Sequence, residues 1–375
     1  MGEIGRFLHI HRVGFDKRDP AARTGDYKHY FETQPDAELR YLGARCMDCG
    51  VPFCHLGCPL GNLIPDWNDQ VYRGRWREAI DQLHNTNNFP EFTGRICPAP
   101  CESACVLAIN DDAVTIQQLE LGIVEHAFRE GWVMPESPPS RSGRSVAVVG
   151  SGPAGMAAAA ELNKRGHAVT VFERDEGVGG LMRFGVPDSK LEKWVIDRRA
   201  HLLEEEGVTF TCNVDVGRDI GAGELRERFD AVVLATGSRV GRRLEIPGSD
   251  LAGVHQAMDY LYQRNRAAAR AKGEEPEAGS PEPEQEISAA GKHLVVIGGG
   301  DTGMDCLSNA GREGALGAVA LDTYGEIPPS GRYRHTPWPL SAKRSSFAGK
   351  TVPTDPKRNR SGPFAAIGTV LSVSA

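Results

Sequence analysis

The stretch that decides the fold reads Val146-Ala-Val-Val-Gly150-Ser-Gly152-Pro-Ala-Gly155, and an alanine-rich run joins it to His167-Ala-Val-Thr-Val-Phe-Glu173. The β-branched run 146–149 is typical of a strand buried on both faces of a parallel sheet. The pattern then predicts a helix over 156–162 and a second strand over 168–172. This order of strand, glycine turn, helix and strand predicts a doubly wound α/β domain.

Each residue of this turn has a separate physical role in binding a dinucleotide. Gly150 permits the tight turn, Gly152 lets the backbone approach a pyrophosphate, and Gly155 lets the helix pack closely on the strand. The helix N-terminus presents free N–H groups and the positive end of its dipole. Glu173 ends the second strand, where its carboxylate accepts a hydrogen bond from a ribose hydroxyl and disfavours a 2′-phosphate. The spacing therefore predicts a dinucleotide site, which we interpret as an FAD site.

Two further segments are predicted to complete this site. The glycine-rich segment 177–187 is either a plain surface loop or a loop over the flavin, and its position after the second strand favours the flavin, with Gly180 in contact. The run 230–237 reads as another buried strand. It would place Thr236 and Gly237 at the carboxyl edge of the sheet, where ligands bind in open α/β folds.

The pattern of strand, glycine turn and helix occurs a second time. It follows the apolar run 293–297, and its predicted cofactor-binding residues are Gly298, Gly300, Asp301, Thr302 and Gly303. Two such turns on one chain predict two dinucleotides, and we expect NAD(P)H at the second.

The choice between NADH and NADPH stays open at this stage. The next strand, 318–322, should end at the residue that binds the ribose, and Asp322 there favours a plain hydroxyl. Arg332 and Arg334 would instead supply countercharge to a phosphate.

Seven of the nine cysteines lie in two groups within the first third of the chain, namely Cys46, Cys49, Cys54 and Cys58, then Cys97, Cys101 and Cys105. In a cytosolic chain such clustering favours metal over disulfides. The first group has the spacing C-x2-C-x4-C-x3-C-P, which is similar to the cysteine spacing of iron–sulfur ferredoxins. Structural zinc and plain thiols are the alternatives, but zinc takes four ligands and seven cysteines do not divide into fours.

Two [4Fe–4S] clusters would need one ligand more than these cysteines supply. The segment 113–120 offers candidates for that ligand. Cys212 and Cys306 fall in predicted elements of the nucleotide-binding region, and we expect both to be small core residues.

Composition limits the function classes. The chain has 375 residues, 40% of them hydrophobic, and a formal net charge of −7, which argues against nucleic acid as a partner. No apolar run approaches the roughly 20 residues that span a bilayer, and the N-terminus is too polar for a signal peptide. We therefore expect a cytoplasmic protein without a membrane partner.

The predicted fold class is α/β, with a helical N-terminal iron–sulfur domain followed by two Rossmann-like dinucleotide-binding domains, the second incomplete. Within the first domain, residues 1–40 read as an arm with little periodicity. The predicted boundaries are 1–132 for the helical domain with two [4Fe–4S] clusters, 145–265 for the FAD-binding domain, 266–291 for a flexible insertion, 292–340 for a partial NAD(P)H-binding domain and 341–375 for an atypical tail.

The order of these motifs resembles the small (beta) subunit family of bacterial NADPH-dependent glutamate synthase and the related N-terminal half of dihydropyrimidine dehydrogenase. The likeness runs to about Pro339, and includes both cysteine groups, both glycine turns and Thr336-Pro-Trp-Pro339. It implies FAD at the first turn, NAD(P)H at the second and a large (alpha) subunit as partner. That subunit would make glutamate from glutamine and 2-oxoglutarate.

The resemblance also implies a ligand set for each cluster. One cluster would have Cys46, Cys49, Cys54 and Cys105, and the other would have Cys58, Cys97, Cys101 and Glu120, the last as the ligand that is not a cysteine.

Two alternatives stay open. The electrons would go instead to a dihydropyrimidine dehydrogenase-like or ferredoxin-type acceptor, or the chain would be an inactive fragment that only docks on a partner. The second alternative arises because 341–375 matches nothing expected of the family. The run 362–368 is faintly similar to a strand of the family that ends in a Gly-Asp motif, but no Asp follows Gly368. We therefore expect a truncated or frame-shifted end.

Overall fold

The computed structural model describes residues 5–238, 240–241, 244–273 and 286–321, together with the backbone of 370–374. These residues divide into two compact units. The first contains the described residues up to Asp19 and His29–Glu136, and the second contains Pro20–Lys28 and the described residues from Ser137 onward. Asp322, Arg332, Arg334, Thr336–Pro339 and residues 362–368, which the sequence analysis singled out, lie outside the described residues.

The α-helices of the described residues are α1 (Pro20–Thr24), α2 (Asp36–Gly43), α3 (Phe53–Gly57), α4 (Ile64–Tyr72), α5 (Trp76–His84), α6 (Pro90–Ile96), α7 (Pro100–Ser103), α8 (Ile116–Arg129), α9 (Pro153–Lys164), α10 (Leu181–Phe184), α11 (Lys193–Glu205), α12 (Ala222–Arg228), α13 (Ala257–Ala271) and α14 (Asp301–Glu313). Two short 3-10 helices span Arg6–Leu8 and Val106–Ile109. Within the described residues, no helix combines the length and the apolar character needed to cross a membrane.

The first unit is a helical assembly around α8. Trp67 of α4 and Leu119 of α8 are completely buried in its core. Gly94 lets α6 approach α8 closely, because a Cβ there would lie 2.9 Å from the Cα of Leu121. Gly122 does the same for α2, since its Cβ would lie 2.4 Å from a methyl group of Leu39. Small residues at these crossings let the apolar faces of the helices pack at short range.

The prediction that residues 1–40 form an arm is wrong for the end of that stretch. Asp36–Gly43 is a helix of the core, with Leu39 and Leu42 exposing 2% and 0% of their surface. Ile10 is also buried, at 1% exposed. The sequence pattern missed this helix because eight residues are too few to establish a 3.6-residue period among so many charges.

Replacing Leu39 by alanine should lower the free energy of unfolding by about 2–5 kcal/mol, the usual cost of a cavity at a buried leucine. Urea unfolding monitored by circular dichroism measures this. Leu8→Ala is the matched control, because Leu8 is 68% exposed and its truncation should leave the midpoint unchanged. Equal midpoints for Leu39→Ala and wild type would contradict the assignment of α2 to the core.

The second unit contains two sheets. Their strands are β1 (Ser145–Val149), β2 (Ala168–Phe172), β3 (Val208–Thr211), β4 (Ala231–Leu234), β5 (Val254–Gln256), β6 (His293–Ile297), β7 (Gly317–Leu321) and β8 (Val370–Ser374). The first sheet has the order β3-β2-β1-β4 with every pair parallel, and the second has the order β5-β8-β6-β7. The predicted α/β class, with a helical part followed by two dinucleotide-type sheets, is therefore confirmed.

The second sheet is mixed. Strands β6 and β7 are parallel, but β8 pairs antiparallel with both β5 and β6. Part of the stretch predicted as an atypical tail is thus a strand inside this sheet, where its backbone pairs with an otherwise open edge of β6. Residues 266–271, which were predicted as part of the flexible insertion 266–291, continue α13, and Ile287 and Ala289 of the same stretch are buried.

Candidate functional site

The first glycine turn has the close backbone geometry that only glycine permits. Gly150 has φ 102°, and a Cβ there would lie 2.5 Å from the carbonyl oxygen of Ala235. A Cβ on Gly155 would lie only 1.9 Å from the carbonyl oxygen of Gly150. Strand β1, the turn and helix α9 therefore pack backbone against backbone.

The space in front of this turn is open. Among the described residues, a Cβ on Gly152 would meet no atom within 4 Å beyond its two chain neighbours, and Gly152 is the N-cap of α9, whose first turn begins at Pro153. Gly180 borders the same space, since its Cβ would lie 3.0 Å from the Cα of Gly152. An open position at a helix N-terminus, between two glycines, fits a pyrophosphate group.

Thr236 and Gly237 follow strand β4 beside this turn. Ala235 continues the pairing of β4, because its N–H donates to the carbonyl of Val149 over 2.9 Å. The Cα of Thr236 would lie 3.3 Å from a Cβ on Gly150, and Gly237 has φ 66°. The fold thus brings both residues to the carboxyl edge of the sheet, next to Gly150.

Glu173 orients the glycine loop in a way that the sequence analysis missed. It is 4% exposed, and one carboxylate oxygen accepts hydrogen bonds from the N–H and the hydroxyl of Ser151, over 2.9 and 2.5 Å. The other oxygen accepts from the N–H of Asp175 over 3.0 Å. The hydroxyl of Ser151 accepts in turn from the N–H of Gly179 over 3.0 Å. Since a carboxylate has about four acceptor positions, Glu173 keeps capacity for a ribose hydroxyl.

The second glycine turn repeats the geometry of the first. Gly298 has φ 120°, and a Cβ on Gly303 would lie 2.1 Å from its carbonyl oxygen. Gly300 is the N-cap of α14 and faces open space, with Asp301 and Thr302 in the first helical turn. These residues fit a second dinucleotide for the same steric reasons as the first set.

One set of cysteines lines a single cavity in the first unit, and its members are Cys46, Cys49, Cys54 and Cys105. All four thiols are free of disulfides. Burial, together with the neighbouring thiols of the set, raises the pKa of Cys54 to about 12 and that of Cys46 to about 11. The set combines three cysteines of the first sequence group with the last cysteine of the second.

A second set contains Cys58, Cys97, Cys101 and Glu120. Burial raises the pKa of Cys97 to about 11 and that of Cys101 well above its ordinary value, with Glu120 and Cys58 among the charges that act on both. Gly57 lets α3 pack against α7, because its Cβ would lie 2.5 Å from the Cβ of Ala104. This contact brings Cys58 towards Cys101.

The Glu120 side chain is held inside the first unit. One carboxylate oxygen accepts hydrogen bonds from the amide of Asn87, over 3.0 Å, and from the hydroxyl of Thr93. Burial raises the pKa of Glu120 to about 7, against the lowering effect of these two hydrogen bonds. Asn87 and Thr93 were not predicted as site residues, because nothing in their spacing indicates that they meet α8.

Both sets fit a cationic group. Thiols and a carboxylate with raised pKa values are costly to ionise in a buried position that offers no cation. A bound metal reverses that cost, because it deprotonates the thiols that coordinate it. The donor chemistry of sulfur with one carboxylate therefore suits iron–sulfur clusters at these positions.

In the iron-free protein, Glu120→Gln should become more stable relative to wild type as pH rises. A raised folded-state pKa means that the contribution of Glu120 to stability is complete below its unfolded pKa of 4.5 and is lost as pH rises through about 7. The difference should reach up to about 3 kcal/mol at pH 8, since one pKa unit corresponds to about 1.4 kcal/mol. Urea unfolding at pH 5 and pH 8 measures it, and a constant difference would contradict the raised pKa.

The remaining cysteines differ from each other. Cys306 is fully buried on α14, as the sequence predicted. Cys212 lies just beyond the end of β3 and is only partly buried, so the prediction of a core residue is wrong for it. The reason is that β3 is the edge strand of its sheet.

Comparison with known proteins agrees with this geometry. Residues 23–132 match the family model described as dihydropyrimidine dehydrogenase domain II, 4Fe-4S cluster, and residues 144–319 match pyridine nucleotide-disulphide oxidoreductase. The chain is 52% identical over 342 residues to the glutamate synthase [NADPH] small chain of Mycobacterium tuberculosis, covering 90% of this chain and 68% of that one. The chain belongs to the glutamate synthase small-chain family.

Other glutamate synthases are also similar to this chain. The small chain of Bacillus subtilis is 47% identical, over 90% of this chain and 69% of its own length. The glutamate synthase [NADH] of Schizosaccharomyces pombe is 45% identical, over 90% of this chain but 16% of its own length. The resemblance stated from the sequence is confirmed.

The matches also confirm the cofactor classes. The chain is an NAD(P)H-dependent oxidoreductase with FAD and [4Fe–4S] iron, and as a small chain it partners a larger one. The number of clusters, the individual site residues and the domain boundaries stay predictions.

Proposed function

We propose that this chain is the electron-input subunit of glutamate synthase. It takes electrons from NAD(P)H and delivers them, by way of FAD and two [4Fe–4S] clusters, to the large (alpha) subunit, which makes glutamate from glutamine and 2-oxoglutarate. The observation that carries the proposal is the pair of open glycine turns in one compact unit, on the same chain as two sets of buried or partly buried thiols.

The chain's own residues supply binding and orientation. FAD, when bound, accepts a hydride and passes electrons on singly. Gly152 and Gly180 leave room for its pyrophosphate at the N-terminus of α9, and Glu173 holds the loop through Ser151 while it accepts from the ribose. The backbone at Thr236 and Gly237 closes the same edge of the sheet.

The second glycine turn binds NAD(P)H in the same manner. Gly300 leaves room for the phosphates at the N-terminus of α14, with Gly298 and Gly303 shaping the turn. The bacterial relatives named above are NADPH enzymes by name, and the fungal one is an NADH enzyme. Identity alone does not separate the two coenzymes, because small chains of NADPH enzymes match at 36–52% and the two yeast NADH enzymes at 43–45%.

The two sets of buried and partly buried donors hold the clusters. Cys46, Cys49, Cys54 and Cys105 bind one, and Cys58, Cys97, Cys101 and Glu120 bind the other. Burial lowers the local dielectric, which is one of the means by which a protein adjusts a cluster's potential. The net charge of −7 supports a protein partner over nucleic acid, and we assign the chain to the cytoplasm.

Anaerobic purification with the large subunit of the same organism tests the proposal. We expect bound flavin, about eight irons per chain for two [4Fe–4S] clusters, and NADPH-dependent formation of glutamate from glutamine and 2-oxoglutarate. NADPH oxidation with a dye but no glutamate in the presence of the large subunit would point to another acceptor. A colourless protein free of iron would contradict the proposal entirely.

A further inference from the structure

A short segment after the glycine-rich loop contains several buried charges. It spans 187–193, and it begins with a turn in which the N–H groups of Lys190 and Leu191 donate to the carbonyl of Pro187 over 2.9 and 3.1 Å. Leu191 is completely buried and anchors the turn. The charged side chains around it therefore have little freedom to reach water.

Lys190 forms a buried ion pair with the second dinucleotide region. Its Nζ lies 2.5 Å from Oδ1 of Asp305, and the two side chains are 12% and 9% exposed. Asp305 lies on α14, one turn after Asp301, so it belongs to the helix whose N-terminus carries the second glycine turn. The pair thus joins residues 176–193, the flavin-side loop, to the helix proposed to bind NAD(P)H.

Other contacts join the flavin-side loop to α13, which shares a core cluster with α14. Arg266 of α13 makes two hydrogen bonds to the carboxylate of Glu176, over 2.7 and 2.9 Å. The amide of Asn265 donates to the carbonyl of Phe184 over 2.9 Å. Asp188, which is 3% exposed, pairs with Lys272 just after α13. Among these contacts, Lys190–Asp305 is the one that reaches α14 itself.

We propose that Lys190 and Asp305 are positioning residues for hydride transfer: their buried pair holds α14 at a defined position relative to the flavin-side loop. The inference rests on the proposed function, because it assigns the second glycine turn to NAD(P)H and the first to FAD. A displacement of about 1 Å between reacting groups can cost about 100-fold in rate. A buried pair suits this role, since separating its charges leaves each uncompensated in a low dielectric.

Three variants of the full chain separate positioning from folding. Lys190→Met leaves Asp305 buried without its partner and risks instability. The double variant Lys190→Met with Asp305→Asn removes both charges, so it should fold while lacking the pair. Lys190→Arg keeps the charge and should restore function. Arg228→Gln is the matched control, because the Arg228–Glu224 pair is 52% and 51% exposed and lies within α12.

The first measurement is the rate of flavin reduction by saturating NADPH in a stopped-flow instrument, together with the dissociation constant of NADP⁺. We expect the double variant to reduce flavin about 100-fold more slowly with unchanged NADP⁺ affinity. Lys190→Arg and Arg228→Gln should retain the wild-type rate. A wild-type rate in the double variant would overturn the proposal, as would a loss of NADP⁺ affinity with an unchanged rate at saturation.

The second measurement needs no cofactor. Hydrogen exchange of the cofactor-free protein should be faster in the double variant than in wild type, both over 187–191 and in the first turns of α14. Unchanged exchange in both places would overturn the proposal. If wild-type flavin is not reduced by NADPH at all, the proposed function fails, and this exchange result still reports on the pair.

Discussion

Gly155→Ala is expected to purify without flavin and without NADPH oxidation. The new Cβ would lie 1.9 Å from the carbonyl oxygen of Gly150, a distance that no packed structure tolerates. The obstacle is backbone, so no side chain can move aside, and α9 must shift away from β1. Such overpacking typically costs about 1–3 kcal/mol or more, and it moves the helix N-terminus that would meet the pyrophosphate. Flavin absorbance per chain and the urea midpoint should both fall.

Gly152→Ala is the informative control for that result. Its Cβ would enter open space, with no atom of the described part of the chain within 4 Å beyond its two neighbours, so the variant should unfold at the wild-type urea midpoint. Flavin should nevertheless bind poorly, because the added methyl occupies the position proposed for the pyrophosphate. Full flavin content in Gly155→Ala would contradict the assignment of the first turn. Full flavin content in Gly152→Ala would show that the pyrophosphate binds at another position.

Cys105→Ala is expected to remove one cluster and to stop electron delivery to the large subunit. Cys105 belongs to the second sequence group but lines the cavity with Cys46 and Cys54. Its loss should therefore lower the iron content by about half, since each [4Fe–4S] cluster takes four ligands. The same electron paramagnetic resonance signal should disappear in Cys46→Ala. NADPH-dependent dye reduction at the flavin should persist in both.

The structure offers a matched control for the cysteine prediction. Cys212 lies outside both sets, at the end of β3, and Cys212→Ser should keep full iron content. Cys97→Ala should remove the other signal and leave the first intact. Loss of the same signal in Cys105→Ala and Cys97→Ala would contradict the two ligand sets.

Local features of the sequence predicted much of this site. The glycine turns could be recognised because a close backbone contact within each strand–turn–helix unit requires glycine, as the contact of Gly155 with Gly150 does. The strand over Ala168–Phe172 was predicted with its observed ends, because its residues alternate in the way typical of a strand. The hydrogen bonds of Glu173 to Ser151 were missed, because the motif indicates a ligand contact and nothing in it indicates a second contact within the protein.

The sequence by itself determined the α/β class, the two dinucleotide turns and the presence of a metal-binding cysteine region. These features depend on backbone sterics and on ligand chemistry, which act over a few residues. Only the tertiary structure decided that Asn87 and Thr93 hold Glu120, that α2 belongs to the core and that Lys190 meets Asp305. Each of these contacts joins residues distant in sequence, and their meeting depends on how helices and loops pack rather than on any local pattern.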